Sequence, residues 1–413
     1  MSKFTKPEKS WILYDVANSA FTMLISTTIP IFFRSLAEQD VSASTASGIW
    51  ALTTSVAVLI LAVLSPFLGA LADYKGMKKK MFSLFLLVGV IGLLLLSFSG
   101  NWISYMILFV ITRIGYSACN IFYDSMLVDV TADDRMDRIS SYGYALGYIG
   151  SCIPFIIGIL LILVRPFGLS TQAATQISFV ITALWWVGLT SPLLKNVHQT
   201  HYLENRSNQV SHALSRIGQT LKKIRKNPSV LYFIIAYFCY IDGVYTIISM
   251  ATTYGGEVGI SDTNMILALL LTQFIAFPCA IFAGNLAEKV GTLKVIRVSI
   301  LIYCGICIFG YQLDKAWEFW VLAVVVGMAQ GGIQSLSRSY FGRLIPKNES
   351  NEYFGFFDIF GKFADFFGPM IMSFCALVLG SSTYGILGLL LLFVVGYILL
   401  RKIPENQHSL NIT

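Results

Sequence analysis

Apolar runs of about 20 or more residues alternate with short polar breaks along the whole chain. They fall near 11–36, 47–72, 81–99, 102–128, 139–164 and 173–194, and again near 229–254, 263–287, 293–312, 317–342, 352–379 and 382–400. At 1.5 Å of rise per helical residue such a run matches the roughly 30 Å hydrocarbon core of a bilayer. The pattern predicts an all-α polytopic membrane protein with twelve transmembrane helices, six on either side of a polar stretch.

The polar breaks carry a repeat. Gly69-Ala70-Leu71-Ala72-Asp73-Tyr74-Lys75-Gly76 follows the second run, and Gly284-Asn285-Leu286-Ala287-Glu288-Lys289-Val290-Gly291 follows the eighth, about 215 residues later. Both read G-x-L-A-acid-x-x-G and are followed by cations. Repetition at half the chain length predicts two pseudo-symmetric six-helix bundles, 1–194 and 229–413, joined by a linker over 195–228. Gly69, Gly76, Gly284 and Gly291 permit tight reversal and close helix approach. Asp73 and Glu288 are placed to accept hydrogen bonds from the first amides of a neighbouring helix. The repeated loop resembles the one between helices 2 and 3 of the major facilitator superfamily of transporters.

Composition agrees with the membrane class: 56% of residues are hydrophobic and 12% charged, and the mean hydropathy is +0.71. The net charge of +7 is spread over short loops, which argues against nucleic acid as a partner. Lys3, Lys6, Lys9, Lys75, Lys78, Lys79, Lys80, Arg135 and Arg138 all fall on one side of the expected spans, so both termini are expected to be cytoplasmic. The first apolar segment is interrupted by Asp15 and Asn18 and runs long for a signal peptide, so it reads as a retained span. In the linker, Val210, Leu214, Ile217, Leu221 and Ile224 share one helical face among cations. That predicts an amphipathic helix on the inner leaflet. The seven cysteines lie in spans as apolar filler, and His198-x-x-His201 reads as solvated loop rather than metal site, so no metal or other cofactor is expected.

Ionisable groups within spans cost free energy and so point to function. Helix 4 carries Arg113, Ser117, Asn120 and Asp124 on one face, and helix 10 carries Gln330, Gln334 and Arg338. Arg113, Asn120, Gln330 and Gln334 are candidate substrate ligands, with a helix-packing network as the alternative for Arg113. Overlaying the halves by about 214 residues sets Asp124 on Arg338 and Asp129 on Arg343, opposite charges at equivalent positions. These two pairs are the expected cytoplasmic gate. Asp242, halfway through helix 7 beside Gly243, is the residue placed to carry a proton, unless Arg113 or a tyrosine hydroxyl pairs with it permanently. On helix 11, Asp358, Lys362 and Asp365 share a face, either as a self-neutralising strut or with Lys362 drawing a substrate carboxylate. Tyr14, Asp15 and Asn18 form a polar cluster at the start of helix 1, expected to line a cytoplasmic vestibule, with packing against the loop motif as the alternative. No phosphate-binding loop and no nucleophile–base pair occurs, so neither ATP-driven pumping nor an enzyme is expected.

Trp11-Ile12-Leu13-Tyr14-Asp15-Val16-Ala17-Asn18-Ser19-Ala20-Phe21 is far more specific than the loop. It resembles the signature of the vacuolar amino-acid effluxers of the fungal autophagy pathway and their bacterial relatives. Phe122-Tyr123, Ala145-Leu146-Gly147-Tyr148, Tyr240-x-Asp242-Gly243 and Ser337-Arg338-Ser339 extend the likeness over nearly all spans. The resemblance implies a secondary transporter working by alternating access, and by analogy an exporter of amino acids or similar small solutes. Asp242 suggests proton coupling, the short loops favour the cell membrane, and a monomer is expected. Asp124 departs from the amide more often found in the bacterial branch. Two other functions remain open at this point: a lipid or amphiphile flippase of the same fold, and a non-transporting membrane sensor.

Overall fold

The computed structural model describes residues 4–205, 208–257, 259–379 and 383–403. It is helical throughout, and among the described residues the only β contact is an isolated parallel bridge between Tyr74 and Leu203. The first span is two helices, α1 (Lys6–Ser26) and α2 (Thr28–Ala37), broken at Thr27, whose backbone leaves the helical region at φ −134° and ψ −79°. A capping box starts α1: Thr5 Oγ1 accepts the Glu8 N–H, and Glu8 Oε2 accepts the Thr5 N–H at 2.7 Å. Next come α3 (Ala43–Ala72) and α4 (Met77–Ser97). The fourth span is α5 (Trp102–Ser125) with a short continuation, α6 (Leu127–Val130), after a break at Met126. Then come α7 (Met136–Val164), α8 (Thr171–Asn196) and the linker helix α9 (Gln209–Lys226). The second half comprises α10 (Pro228–Glu257), α11 (Asp262–Val290), α12 (Thr292–Gly310), α13 (Ala316–Leu344), α14 (Ser350–Leu379) and α15 (Thr383–Arg401).

Among the described residues, eleven segments are long and apolar enough to cross a membrane. The twelfth expected span is α14, thirty residues long, in which Glu352, Asp358, Lys362 and Asp365 interrupt the apolar sequence. Lipid exposure explains why the spans are apolar all round. On α4, Phe82, Leu86 and Leu93 are buried in the bundle, whereas Leu84, Leu87, Ile91 and Leu95 point outwards. One apolar core runs from Trp11 to Val197 and another from Ile224 to Ile403. Ala145, Tyr148, Ala276 and Ala280 form a third patch where α7 meets α11.

The linker helix forms where its periodicity predicts it. Ala213, Thr220 and Ile224 are buried against the bundle, while Val210, Leu214 and Leu221 stay exposed. Ahead of it the chain is pinned to the α3–α4 loop: Leu203 N–H donates to Asp73 O at 2.8 Å and Lys75 N–H to Leu203 O at 3.0 Å. The bundle therefore has a basic end, carrying the start of α1, the end of α15 and this linker, and a far end.

Candidate transport path and gate

Arg338 lies near the basic end of α13 and is 3% exposed. Its Nη2 donates to Asp15 Oδ2 at 2.9 Å and to Ser140 O at 3.1 Å, its Nη1 to Asp124 Oδ1 at 3.1 Å, and its Nε to Ser140 Oγ at 2.9 Å. Three rings enclose the guanidinium, Tyr144 at 4.3 Å, Trp11 at 4.6 Å and Tyr123 at 5.4 Å from their centroids. Trp11 is fixed in turn by stacking on Tyr123 and donating Nε1–H to Tyr123 O at 2.9 Å. Gly143 makes the room: a Cβ there would overlap Asp15 Oδ2 and lie 3.2 Å from Arg338 Nη2. The expected Asp124–Arg338 contact is thus present, enlarged by Asp15, which sits in the ion pair rather than along a vestibule. Tyr14 is a correction too: it is fully buried among Phe82 and Tyr123, because its ring is turned into the aromatic core of the first half.

The second expected gate pair does not form. Asp129 meets Lys78 Nζ at 2.6 Å and accepts the Thr200 and His201 N–H groups at 2.9 and 3.0 Å. Arg343 instead meets Asp137 at 2.9 Å. Asp129 follows Asp124 by five residues, about 140° round a helix, and so points off the face that carries Asp124. Asp137 also accepts from Thr292 Oγ1 at 2.6 Å and from Ser339. It was missed, although the offset of 214 residues that sets Asp124 on Arg338 also sets Asp137 on Asn351.

Asn351 is where the first loop acts. Asp73 Oδ1 accepts the Asn351 backbone N–H and Nδ2–H at 2.9 Å each, and Oδ2 accepts the Glu352 N–H at 3.3 Å. The acid thus caps the start of α14, as expected. Gly69 lets the backbones meet, since a Cβ there would overlap Asn351 O, and Gly76 supplies the left-handed turn at φ +74°. Arg216 of α9 reaches Asp73 Oδ2 at 3.2 Å and also pairs with Glu352. Burial pushes the Asp73 carboxyl up to about 6, against the opposing pull of Arg216. The second loop is not its equal. Gly284 packs closely on Ser141 of α7 and Gly291 turns at φ +99°, but Glu288 is exposed and caps no helix among the described residues.

Further from the basic end the polar stripe continues. Asn18 Nδ2 donates to Asn120 Oδ1 at 3.3 Å, Thr22 and Tyr116 hydroxyls meet at 2.6 Å, and Tyr148 O–H donates to Gln334 Oε1 at 2.5 Å. Gln330 is buried with its Oε1 unpartnered. Arg113 is half-buried and, among the described residues, makes no hydrogen bond or ion pair. Lys362 pairs with Asp358, which also accepts from Ser65 Oγ at 2.8 Å, so in this arrangement it is a strut between α14 and α3. The Asp365 side chain lies outside the described residues. Asp242 is fully buried and accepts the Gly368 N–H at 2.9 Å, just before Pro369 in α14.

Residues 41–410 match the model of the family described as vacuole effluxer Atg22 like. The chain belongs to this Atg22-like family. An uncharacterized MFS-type transporter, YxiO of Bacillus subtilis (strain 168), is 43% identical over 99% of this chain and 97% of its own length. Autophagy-related protein 22-1 of Penicillium rubens is 27% identical over 57% of this chain and 43% of its own. Among solved structures, the human organic anion transporter MFSD10 superposes with a TM-score of 0.73 at 13% identity, covering 96% of this chain and 99% of that one. The proton:xylose symporter XylE gives 0.70 at 11% identity, covering 97% and 95%. FucP in the outward conformation gives 0.67 at 14% identity, covering 97% and 98%. The Atg22-like chain is therefore an MFS-type transporter in fold and family.

Proposed function

We propose that this transporter exports a small, polar, amino acid-like solute by alternating access, coupled to protons carried by Asp242. The observation that carries the reading is the Arg338 clamp. It joins α13 of one half to α1 and α5 of the other at the basic end, below a polar stripe whose Arg113 makes no ion pair among the described residues. A sensor sealed by permanent pairs would leave no such cation. In this reading the basic end is cytoplasmic, the arrangement faces outwards, and the protein works as a monomer in the cell membrane. Residues 1–194 and 229–413 rock against each other, with 195–228 as their tether. Asn120, Gln330 and Gln334 bind the solute beside Arg113, and Lys362 becomes available only if Asp358 releases it.

Release of a labelled amino-acid mixture from proteoliposomes, with and without an imposed pH gradient, tests the reading. Protein-dependent flux should follow the gradient in the wild type and lose that dependence in Asp242→Asn. No flux of any amino acid would overturn the substrate class and turn attention to lipids and other amphiphiles.

A further inference from the structure

The two carboxylates on Arg338 are not equivalent. The Asp15 side chain is 9% exposed, whereas Asp124 is 27% exposed. Arg338 would keep Asp15, both Ser140 contacts and three ring faces if Asp124 were withdrawn. The charged and titratable groups facing Asp124 are Arg338 from α13, Asp15 from α1 and Asp358, with its partner Lys362, from α14. The phenols of Tyr123 on its own helix, Tyr144 on α7 and Tyr237 on α10 complete the surroundings. Three carboxylates thus share two cations, and the group most open to the path is Asp124. A surplus carboxylate at this depth is stabilised by any cation that reaches it.

We propose that Asp124 is a docking carboxylate that exchanges partners: a primary ammonium group on the transported solute replaces Arg338, which stays on Asp15 and Ser140. The exchange removes the α5–α13 contact while leaving no buried guanidinium without a counter-charge. It also gives the solute a differential affinity for the arrangement in which Arg338 has left Asp124, while Arg338 still joins the halves through Asp15 and Ser140. Arg113 is a separate station on the same face. Eleven residues of helix place it about 16 Å away along the axis, too far for one α-amino acid to bridge.

The proposal rests on the transporter reading, yet its binding step is measurable without transport. Calorimetric titration of the purified full-length protein with pentylamine, pentanoate and norvaline compares three probes that share one carbon chain. The wild type should bind the amine and the amino acid roughly tenfold or more tightly than the acid. Asp124→Asn should lose a similar factor for the amine, and Asp124→Glu should retain most of it. Equal amine affinity in the wild type and Asp124→Asn, or pentanoate binding as tightly as pentylamine, would overturn the proposal. If Asp124→Asn fails to fold, the amine-to-acid ratio in the wild type decides. Asp124-dependent amine binding without amino-acid flux would sink the export reading and leave this inference standing. Flux with no Asp124-dependent binding would do the reverse.

Discussion

The Asp73 carboxylate and the first amide of Asn351 lie 2.9 Å apart, although 278 residues separate them in the chain. A loop of the first half thereby caps a helix of the second, and in the proposed cycle this contact forms as the basic end closes. Burial raises the Asp73 pKa above the ordinary carboxyl value to about 6, with desolvation the main cause and Arg216 opposing it. A raised carboxyl pKa means that closing takes up protons. The contribution to closure is therefore greatest below the ordinary value near 4 and is lost as pH rises through 6. Hydrogen exchange of residues 69–76, corrected for intrinsic rate, should slow as pH falls from 7 to 5 in the wild type and not in Asp73→Asn. Equal pH dependence in both would mean that Asp73 does not titrate in this window.

Arg338 should be the least replaceable member of its cluster. Arg338→Ala leaves Asp15 and Asp124 buried without a cation and should cost about 3–5 kcal/mol of stability in detergent, read as a fall in the unfolding midpoint. The swap Asp124→Arg with Arg338→Asp should restore transport only in part, since Asp15 would then face an aspartate. Full recovery would show that Asp15 contributes nothing to the closed state.

Gly69→Ala should weaken closure by about 1–3 kcal/mol, because the new methyl meets backbone rather than a side chain that can turn aside. The expected signature is faster exchange at the start of α14 with the amides of the α5 core unchanged. Faster exchange across the whole chain, the α5 core included, would refute a local effect.

Lys78 is 1% exposed and joins Asp129 to Ser350 Oγ of the other half, at 3.3 Å. Lys78→Met should destabilise strongly, and adding Asp129→Asn should recover part of the loss by removing the unpaired charge. A double variant as unstable as the single one would show that packing of the lysine stem, rather than its charge, is what matters.

Much of this was legible in the sequence because hydrophobic periodicity and duplication are both visible without contacts. The spans, the linker helix and the Asp124–Arg338 pair follow from run lengths, an amphipathic stripe and one offset. What failed did so for local reasons. Asp129 lies about 140° round the helix from Asp124 and is taken by Lys78 and the linker amides of Thr200 and His201. Tyr14 and Asp15 are neighbours in sequence, and nothing in the order of residues says that the phenol turns into the aromatic core while the acid meets Arg338. Glu288 repeats the chemistry of Asp73 without its surroundings: Asp73 is buried under Arg216, whereas Glu288 is exposed.

The indole of Trp11, 4.6 Å from the Arg338 guanidinium, gives the closure a built-in optical reporter. A cation on the face of an indole shifts the energy of its excited state, so separation of the halves changes the emission of this one ring without any attached dye. The chain has seven tryptophans. A version in which the other six are replaced by phenylalanine would turn the opening and closing of the basic end into a fluorescence trace that can be followed in real time.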